Sequence, residues 1–421
     1  MSLSIKNIPS DWEFVKLSEL TIVITKGTTP TTNGFSYLKN GVNFVKVESI
    51  HSNGTFIPSK FAYVGNNCHN SFKRSQLYKD DILFTIAGAL GRSAIVEKNI
   101  LPANTNQAVA IIRLKNLDNK DYIFHYLRGN SIKKLIERIN VSTAQANLSL
   151  GQINNFNIPL PPLQEQQKIA EILSTVDAKI SIIDEQISET QNLKKGLMQS
   201  LLSKGIGHTE FKKSALGEIP KSWEVAELSE LTIVITKGTT PTTNGFSYLK
   251  NGVNFVKVES IHSNGTFIPS KFAYVGNDCH NSFKRSQLYK DDILFTIAGA
   301  LGRSAIVEKY ILPANTNQAV AIIRLKNLDN KDYIFHYLRG NSIKKLIERI
   351  NVSTAQANLS LGQINNFNIP LPPLKEQQKI SEILNSVDEK LGVLSEKKSY
   401  YQNLKKGLMQ QLLTGLVRVS V

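Results

Sequence analysis

Cysteine is nearly missing from this chain of 421 residues: only Cys68 and Cys279 occur. A disulfide framework uses more cysteines at varied spacings, so a reducing cytoplasm is the expected setting. No apolar run approaches the ~18–20 residues that a membrane-spanning helix needs. The opening stretch, Met1 to Phe14, lacks a basic segment followed by an apolar one and does not read as a signal peptide. What remains, at 41% hydrophobic and 20% charged residues, is an ordinary globular composition. The length suits several cores, about two to four domains.

Catalytic patterns are missing too. Gly88-Ala89-Leu90-Gly91-Arg92-Ser93 has neither the spacing nor the lysine of a phosphate-binding loop, and no GxGxxG opens a helix after a strand. Zinc needs about four clustered ligands, whereas Cys68, His51, His69 and His125 are not spaced as a chelate. Asp80-Asp81 lacks the companion Glu-Xaa-Lys of a nuclease and reads as a solvated turn. His125, inside the apolar run Ile123 to Leu127, reads as a core or helix-face histidine. With no nucleophile, base and oxyanion site assembled, neither an enzyme nor a cofactor is expected.

What is present is a duplication. Residues 17–163 return as residues 228–374, and over 147 positions only Asn67/Asp278 and Asn99/Tyr310 differ. Each copy follows a Pro-Xaa-Xaa-Trp element, Pro9 to Trp12 and Pro220 to Trp223. The net charge of +16 is unevenly spread: the first copy holds +8, the second +7 and everything else +1. Two polyanion-binding modules on a neutral frame fit that distribution.

Within each copy, β-branched and aromatic residues between Gly, Asn and Pro predict short strands at Leu20–Thr25, Val42–Val47, Asp81–Ile86, Ser93–Glu97 and Gln107–Leu114. Gly88 to Gly91 reads as a hairpin turn, and Asp121–Ile139 as one amphipathic helix. The class is therefore α+β. After Pro161-Pro162-Leu163 the period changes. Leu173, Val176, Ile180, Ile183 and Ile187 step by threes and fours, as do Leu384, Val387, Leu391 and Leu394, the signature of a coiled-coil seam. Both helices, each about 40 residues, end in Leu-Lys-Lys-Gly-Leu-Met-Gln, at 193–199 and 404–410. Gly196 and Gly407 in those ends predict close backbone approach, by the other helix or by a partner.

Three motifs carry a resemblance. They are Pro161-Pro162-Leu163-Xaa-Glu165-Gln166 running into Ile169-Ala170-Glu171-Ile172-Leu173, the Leu-Lys-Lys-Gly-Leu-Met-Gln end, and Gly217-Glu218-Ile219-Pro220-Xaa-Xaa-Trp223-Glu224. In this order they resemble the specificity subunit of type I restriction–modification systems. The resemblance implies two target-recognition domains, each reading half of a bipartite DNA sequence. It also implies two long helices packed as an antiparallel coiled coil with pseudo-two-fold symmetry. Its expected partners are double-stranded DNA, two adenine methyltransferase subunits and restriction–translocation subunits, which hold the chemistry. The expected layout is recognition domain 1 at 1–160, spacer helix 161–204, linker 205–218, recognition domain 2 at 219–371, spacer helix 372–415 and tail 416–421. Domains this alike, unlike the family's usual unequal pair, predict a palindromic target with an unspecified spacer. The alternative is a stand-alone DNA-binding regulator of the same architecture.

Candidate DNA contacts follow from donor and acceptor chemistry. The polar loop offers Lys26, Thr28, Thr29, Thr31, Thr32 and Asn33, with Lys237, Thr239, Thr240, Thr242, Thr243 and Asn244 in the copy. Thr143, Gln145 and Asn147, with Thr354, Gln356 and Asn358, form a second set. Lys73 and Arg74, with Lys284 and Arg285, suit phosphate clamping. Arg92 and Arg303 flank the glycine turn.

Overall fold

The computed structural model describes residues 8–139, 147–351 and 358–420. The chain divides into two compact units, Met1–Glu185 with Glu396–Val421, and Gln186–Ser395. Both divisions fall inside long helices. Each unit therefore holds one copy of the repeat, the head of one long helix and the tail of the other.

In the first unit a four-stranded antiparallel sheet runs in the order Thr21–Lys26, Val109–Leu114, Ile82–Thr85, Ser93–Ile95. A three-stranded sheet joins Ala62–Val64, Val42–Val45 and Ala103–Thr105, the last two in parallel. The two-residue period of the strands creates two cores from one sheet. Ile82, Phe84, Ala110 and Ile112 face the helices with Tyr122, Ile123 and Ile136. Leu83, Val109 and Ile111 face the other way, onto Val45, Ile50 and Ala94. That double burial is why every residue of Ile82–Thr85 is buried and three of the four are apolar.

The single helix expected over Asp121–Ile139 is two helices, Lys120–Leu127 and Asn130–Ile139. The break falls at Arg128-Gly129, where the Gly129 amide turns back to the Tyr126 carbonyl at 2.9 Å. A side chain on Gly129 would sit 3.0 Å from that oxygen. The helix ends there so that its successor can lay Ile132 and Ile136 on the same core. The second unit repeats these elements 211 residues on, with sheets Thr232–Lys237, Val320–Leu325, Ile293–Thr296, Ser304–Ile306 and Ala273–Val275, Val253–Val256, Ala314–Thr316.

The long helices run over Leu163–Lys204 and Leu374–Leu412, 42 and 39 residues, or about 60 Å each at ~1.5 Å per residue. In the first unit Leu173, Val176, Ile180 and Ile183 are buried. Ion pairs there give the direction. Asp177 pairs with Lys405, and Asp184 pairs with Lys398 at 2.6 Å. A step of seven forward on one helix matches seven backward on the other, so the two pack antiparallel in heptad register. In the second unit Leu384, Val387 and Leu394 are buried, while Leu391 and Ile187 are half-buried. The seam continues there through Thr190 and Lys194, both buried. Its continuation is thus polar rather than apolar.

Two sequence motifs prove to be one contact. Trp12 donates its indole N–H to Glu165 at 3.3 Å, and Trp223 does the same to Glu376 at 3.1 Å. The Pro-Xaa-Xaa-Trp element is thereby tied to the Pro-Pro-Leu-Xaa-Glu-Gln helix start, 153 residues away in both copies. Each glutamate also takes a residue that follows a long helix: Arg418 on Glu165 at 2.8 Å and His208 on Glu376 at 2.8 Å. Among the described residues, no helix is long and apolar enough to cross a membrane.

Candidate nucleic-acid interface

Lys26 ends the edge strand Thr21–Lys26, and the chain then turns sharply at Gly27. A Cβ on Gly27 would lie 2.0 Å from the Thr105 carbonyl oxygen, so only glycine fits. Thr28 follows, held by its amide to the Thr105 oxygen at 3.1 Å. Thr31–Asn33 form one 3-10 turn, closed by Gly34 at φ +79°. Thr32 and Asn33 direct their donors into the loop itself, both reaching the Thr29 carbonyl at 2.9 Å. The loop is thus preorganised and presents Thr31 to solvent. In the copy, Thr243 and Asn244 reach the Thr240 carbonyl at 2.9 and 3.0 Å, and Thr242 stands exposed.

Lys73 and Arg74 lie on the turn Lys73–Ser75, which the fold brings beside this loop. Arg74 donates to the Thr28 hydroxyl at 3.4 Å, and Arg285 to Thr239 at 3.5 Å. Lys237, Thr239 and Thr240 with Lys284 and Arg285 therefore repeat the arrangement of Lys26, Thr28 and Thr29 with Lys73 and Arg74. Beneath it, His69 meets Asn104 at 2.5 Å, and Gln76 donates to the His69 carbonyl at 2.9 Å. Asn104, in the strand Ala103–Thr105, is fully buried, so its side chain serves the fold.

The remaining candidates form a separate group. Arg92 follows the Gly88–Gly91 turn, and its guanidinium donates to the Ile50 carbonyl at 3.0 Å; Arg303 does so to Ile261 at 3.0 Å. Asn147 bridges to Ala87 next to that turn, as Asn358 does to Ala298. Thr143, Gln145, Thr354 and Gln356 lie outside the described residues. The two substitutions within the repeat are both on the surface: Asn67 and Asp278 in the first turn of a six-residue helix, Asn99 and Tyr310 in a 3-10 turn.

A charged junction went unread in the sequence. Arg128, at the break between the two helices, donates to Asp177 on the long helix at 3.0 Å and to the Asn53 carbonyl. Lys405 reaches the same aspartate. The second unit has Arg339, Asp388 and Lys194 in these places. Two cations thus share one carboxylate at the point where the repeated domain and the long helices meet. Burial, then Arg128, lowers the Lys405 ammonium to about 8; burial, then Arg339, lowers Lys194. His125 is buried alongside, bonded to Ser174 at 2.9 Å. Burial and the Lys405 charge hold it down at about 3. The signal in the sequence was the run Gln-Asn-Leu-Lys-Lys-Gly-Leu-Met-Gln, identical at 191–199 and 402–410 although the middles of the two helices diverge.

No group of three or more His, Cys, Asp or Glu side chains gathers as metal ligands among the described residues. The arrangement offers projecting hydroxyls, guanidinium groups and lysines on rigid turns, a surface for hydrogen bonding to a polyanion.

Comparison with known proteins shows the family. The family described as "Type I restriction modification DNA specificity domain" matches residues 9–192 and again 220–399. Among curated proteins, the putative type I restriction enzyme MjaX specificity subunit of Methanocaldococcus jannaschii is 29% identical, over 99% of this chain and 96% of its own. The MjaVIII specificity subunit of the same organism is also 29% identical, over 98% and 94%. Among solved structures, a type I restriction–modification S subunit from M. genitalium superposes with a TM-score of 0.61, at 16% identity and 98% coverage of both chains.

Proposed function

Because this chain belongs to the type I restriction–modification DNA specificity family, whose members are non-catalytic specificity subunits, we propose that it reads double-stranded DNA in the cytoplasm on behalf of methyltransferase and restriction–translocation subunits. Recognition domains at 1–160 and 219–371 each read one half-site. Spacer helices at 161–204 and 372–415, with a linker at 205–218, set the distance between half-sites. The observation that carries this reading is the repetition of the Thr28–Arg74 surface as Thr239–Arg285, on modules that hold nearly all of the net positive charge.

Equal readers demand equal half-sites. Each recognition domain meets the head of its own helix and the tail of the other, so the two units exchange equivalent parts. The target that suits this is an inverted repeat with an unspecified middle, half-site centres about one to two turns apart at ~10 bp per turn. Base-resolved methylation mapping in cells carrying the complete system is expected to return one motif and its reverse complement. Two unrelated half-sites would sink the palindrome.

Docking is supported by the outward faces of the helices. In the first unit Tyr400 and Leu404 are exposed one turn apart, with Gly407 three residues on; in the second, Leu193 precedes Gly196. Nothing described lies within 4 Å of a Cβ built on either glycine, so neither is explained by a neighbour in the chain. Of the two accounts of these glycines, close approach by a partner fits that open space. Gly407→Leu together with Gly196→Leu is expected to leave the chain folded and to abolish co-purification of the methyltransferase. Undiminished co-purification would remove the docking role from this face.

A further inference from the structure

The recognition loops leave unexplained a second basic feature, a cleft in each unit between the recognition domain and the long helices. In the first unit it measures about 720 Å³. Six cations line it, Arg92, Arg128, Lys133, Lys398, Lys405 and Lys406, against two carboxylates, Asp177 and Asp184. In the second it measures about 700 Å³, with Lys194, Lys195, Arg339 and Lys344 against Asp388 alone. The aspartates cannot neutralise these walls. Asp177 already serves Arg128 and Lys405, and Asp184 serves Lys398. Lys133 and Lys406 are exposed and pair with no carboxylate among the described residues, as is the case for Lys344 and Lys195. Burial, then the neighbouring Arg128 charge and last that of Lys133, pushes the Lys405 ammonium down, with Asp177 acting in the opposite direction.

The Lys-Lys step of the helix ends explains itself here. The first lysine of each pair turns inward to the shared aspartate, and the second lines the open cleft. Whatever enters is therefore anionic. The first cleft has no Phe, Tyr or Trp in its lining and the second has Phe335 alone, whereas a protein partner is usually anchored by several buried aromatic residues. Lysine ammonium groups on flexible stems suit phosphates as point charges. The cleft recurs once per recognition domain, beside the Gly88–Arg92 turn, as a ligand passing both domains would require.

We propose that each cleft holds backbone phosphates of the DNA, making sequence-independent contacts from the spacer helices in addition to those of the recognition loops. This rests on the DNA-reading function proposed above. The test is the full chain with its methyltransferase subunits, as wild type and as the variant Lys133→Gln, Lys406→Gln, Lys344→Gln, Lys195→Gln, titrated with duplexes that contain or lack the target over a series of salt concentrations. Every phosphate that the variant no longer neutralises lowers the slope of log K against log salt by about 0.9. A fall of about 2–4 is expected, with both duplexes weakened alike and the methylated motif unchanged. An unchanged slope with normal target binding overturns the cleft while leaving the reading function intact. An unchanged slope with loss of the methyltransferase assigns the cleft to an acidic protein segment and overturns it equally. If the wild type itself shows no salt-dependent binding to DNA, the failure lies with the function on which the proposal rests.

Discussion

Replacing Asp177 with alanine is expected to cost the first unit about 3–5 kcal/mol, among the largest single effects available in this chain. The reason is the arrangement of charge around it. Arg128 and Lys405 have side chains only 9% and 11% exposed, and both rely on this carboxylate. Removing it leaves two cations facing each other in a partly dry junction, with desolvation uncompensated on both. Asp177 itself is 23% exposed, which places the effect toward the lower end of that range. Asp177→Asn keeps a hydrogen-bond acceptor without the charge and is expected to lose about half as much. Adding Lys405→Met to Asp177→Ala removes one stranded cation and is expected to recover part of the loss. Urea denaturation of the wild type, the singles Asp177→Ala and Lys405→Met and their double variant measures this, and the signature is the coupling: if the double variant is as unstable as the sum of the singles, the shared-carboxylate account fails. Asp388→Ala is the matching change in the second unit, where Arg339 and Lys194 are left.

The junction also shows where sequence reasoning reached and where it stopped. Strands such as Ile82–Thr85 and Val109–Leu114 were legible because β-branched runs between turn residues carry a local signal. The seam was legible for the same reason: Leu173, Val176 and Ile180 repeat along one helix face whatever they pack against. Its polar half was not, because Lys194 and Lys405 look like solvated lysines until Asp388 and Asp177 are placed opposite them. The helix break at Gly129 was missed since the apolar spacing continues through it, and only tertiary packing of Ile132 and Ile136 requires the turn. For the candidate interface, the loop Lys26–Asn33 was singled out by its hydroxyl density. That Arg74 sits on Thr28, 46 residues away, depends on how the two sheets meet, and no local pattern encodes it.

A fall in pH is expected to destabilise both units well before their carboxylates protonate, and the two buried histidines are the reason. Burial and the Lys405 charge lower His125 from 6.5 to about 3, while burial lowers His336 to about 4. In the unfolded chain each is free to take up a proton near pH 6.5. Between that value and the folded one, the unfolded state binds more protons, so stability rises with pH and is lost as pH falls. For His125 the full span corresponds to on the order of 5 kcal/mol at about 1.4 kcal/mol per unit. The charges facing His125 are divided: Lys405 and Arg128 oppose its protonation, and Asp177, at 3.9 Å, favours it without overcoming burial. The hydrogen bond that His336 donates to the Asn385 side-chain oxygen, at 2.7 Å, explains why the second histidine is displaced less. Denaturant midpoints measured from pH 7 to pH 5 should therefore decline, and the decline should flatten in a His125→Gln, His336→Gln variant. The window matters for the interpretation, because above pH 5 unfolded carboxylates are mostly ionised and histidines supply the slope. A wild-type profile as flat as the variant's would show that both rings protonate freely inside the fold.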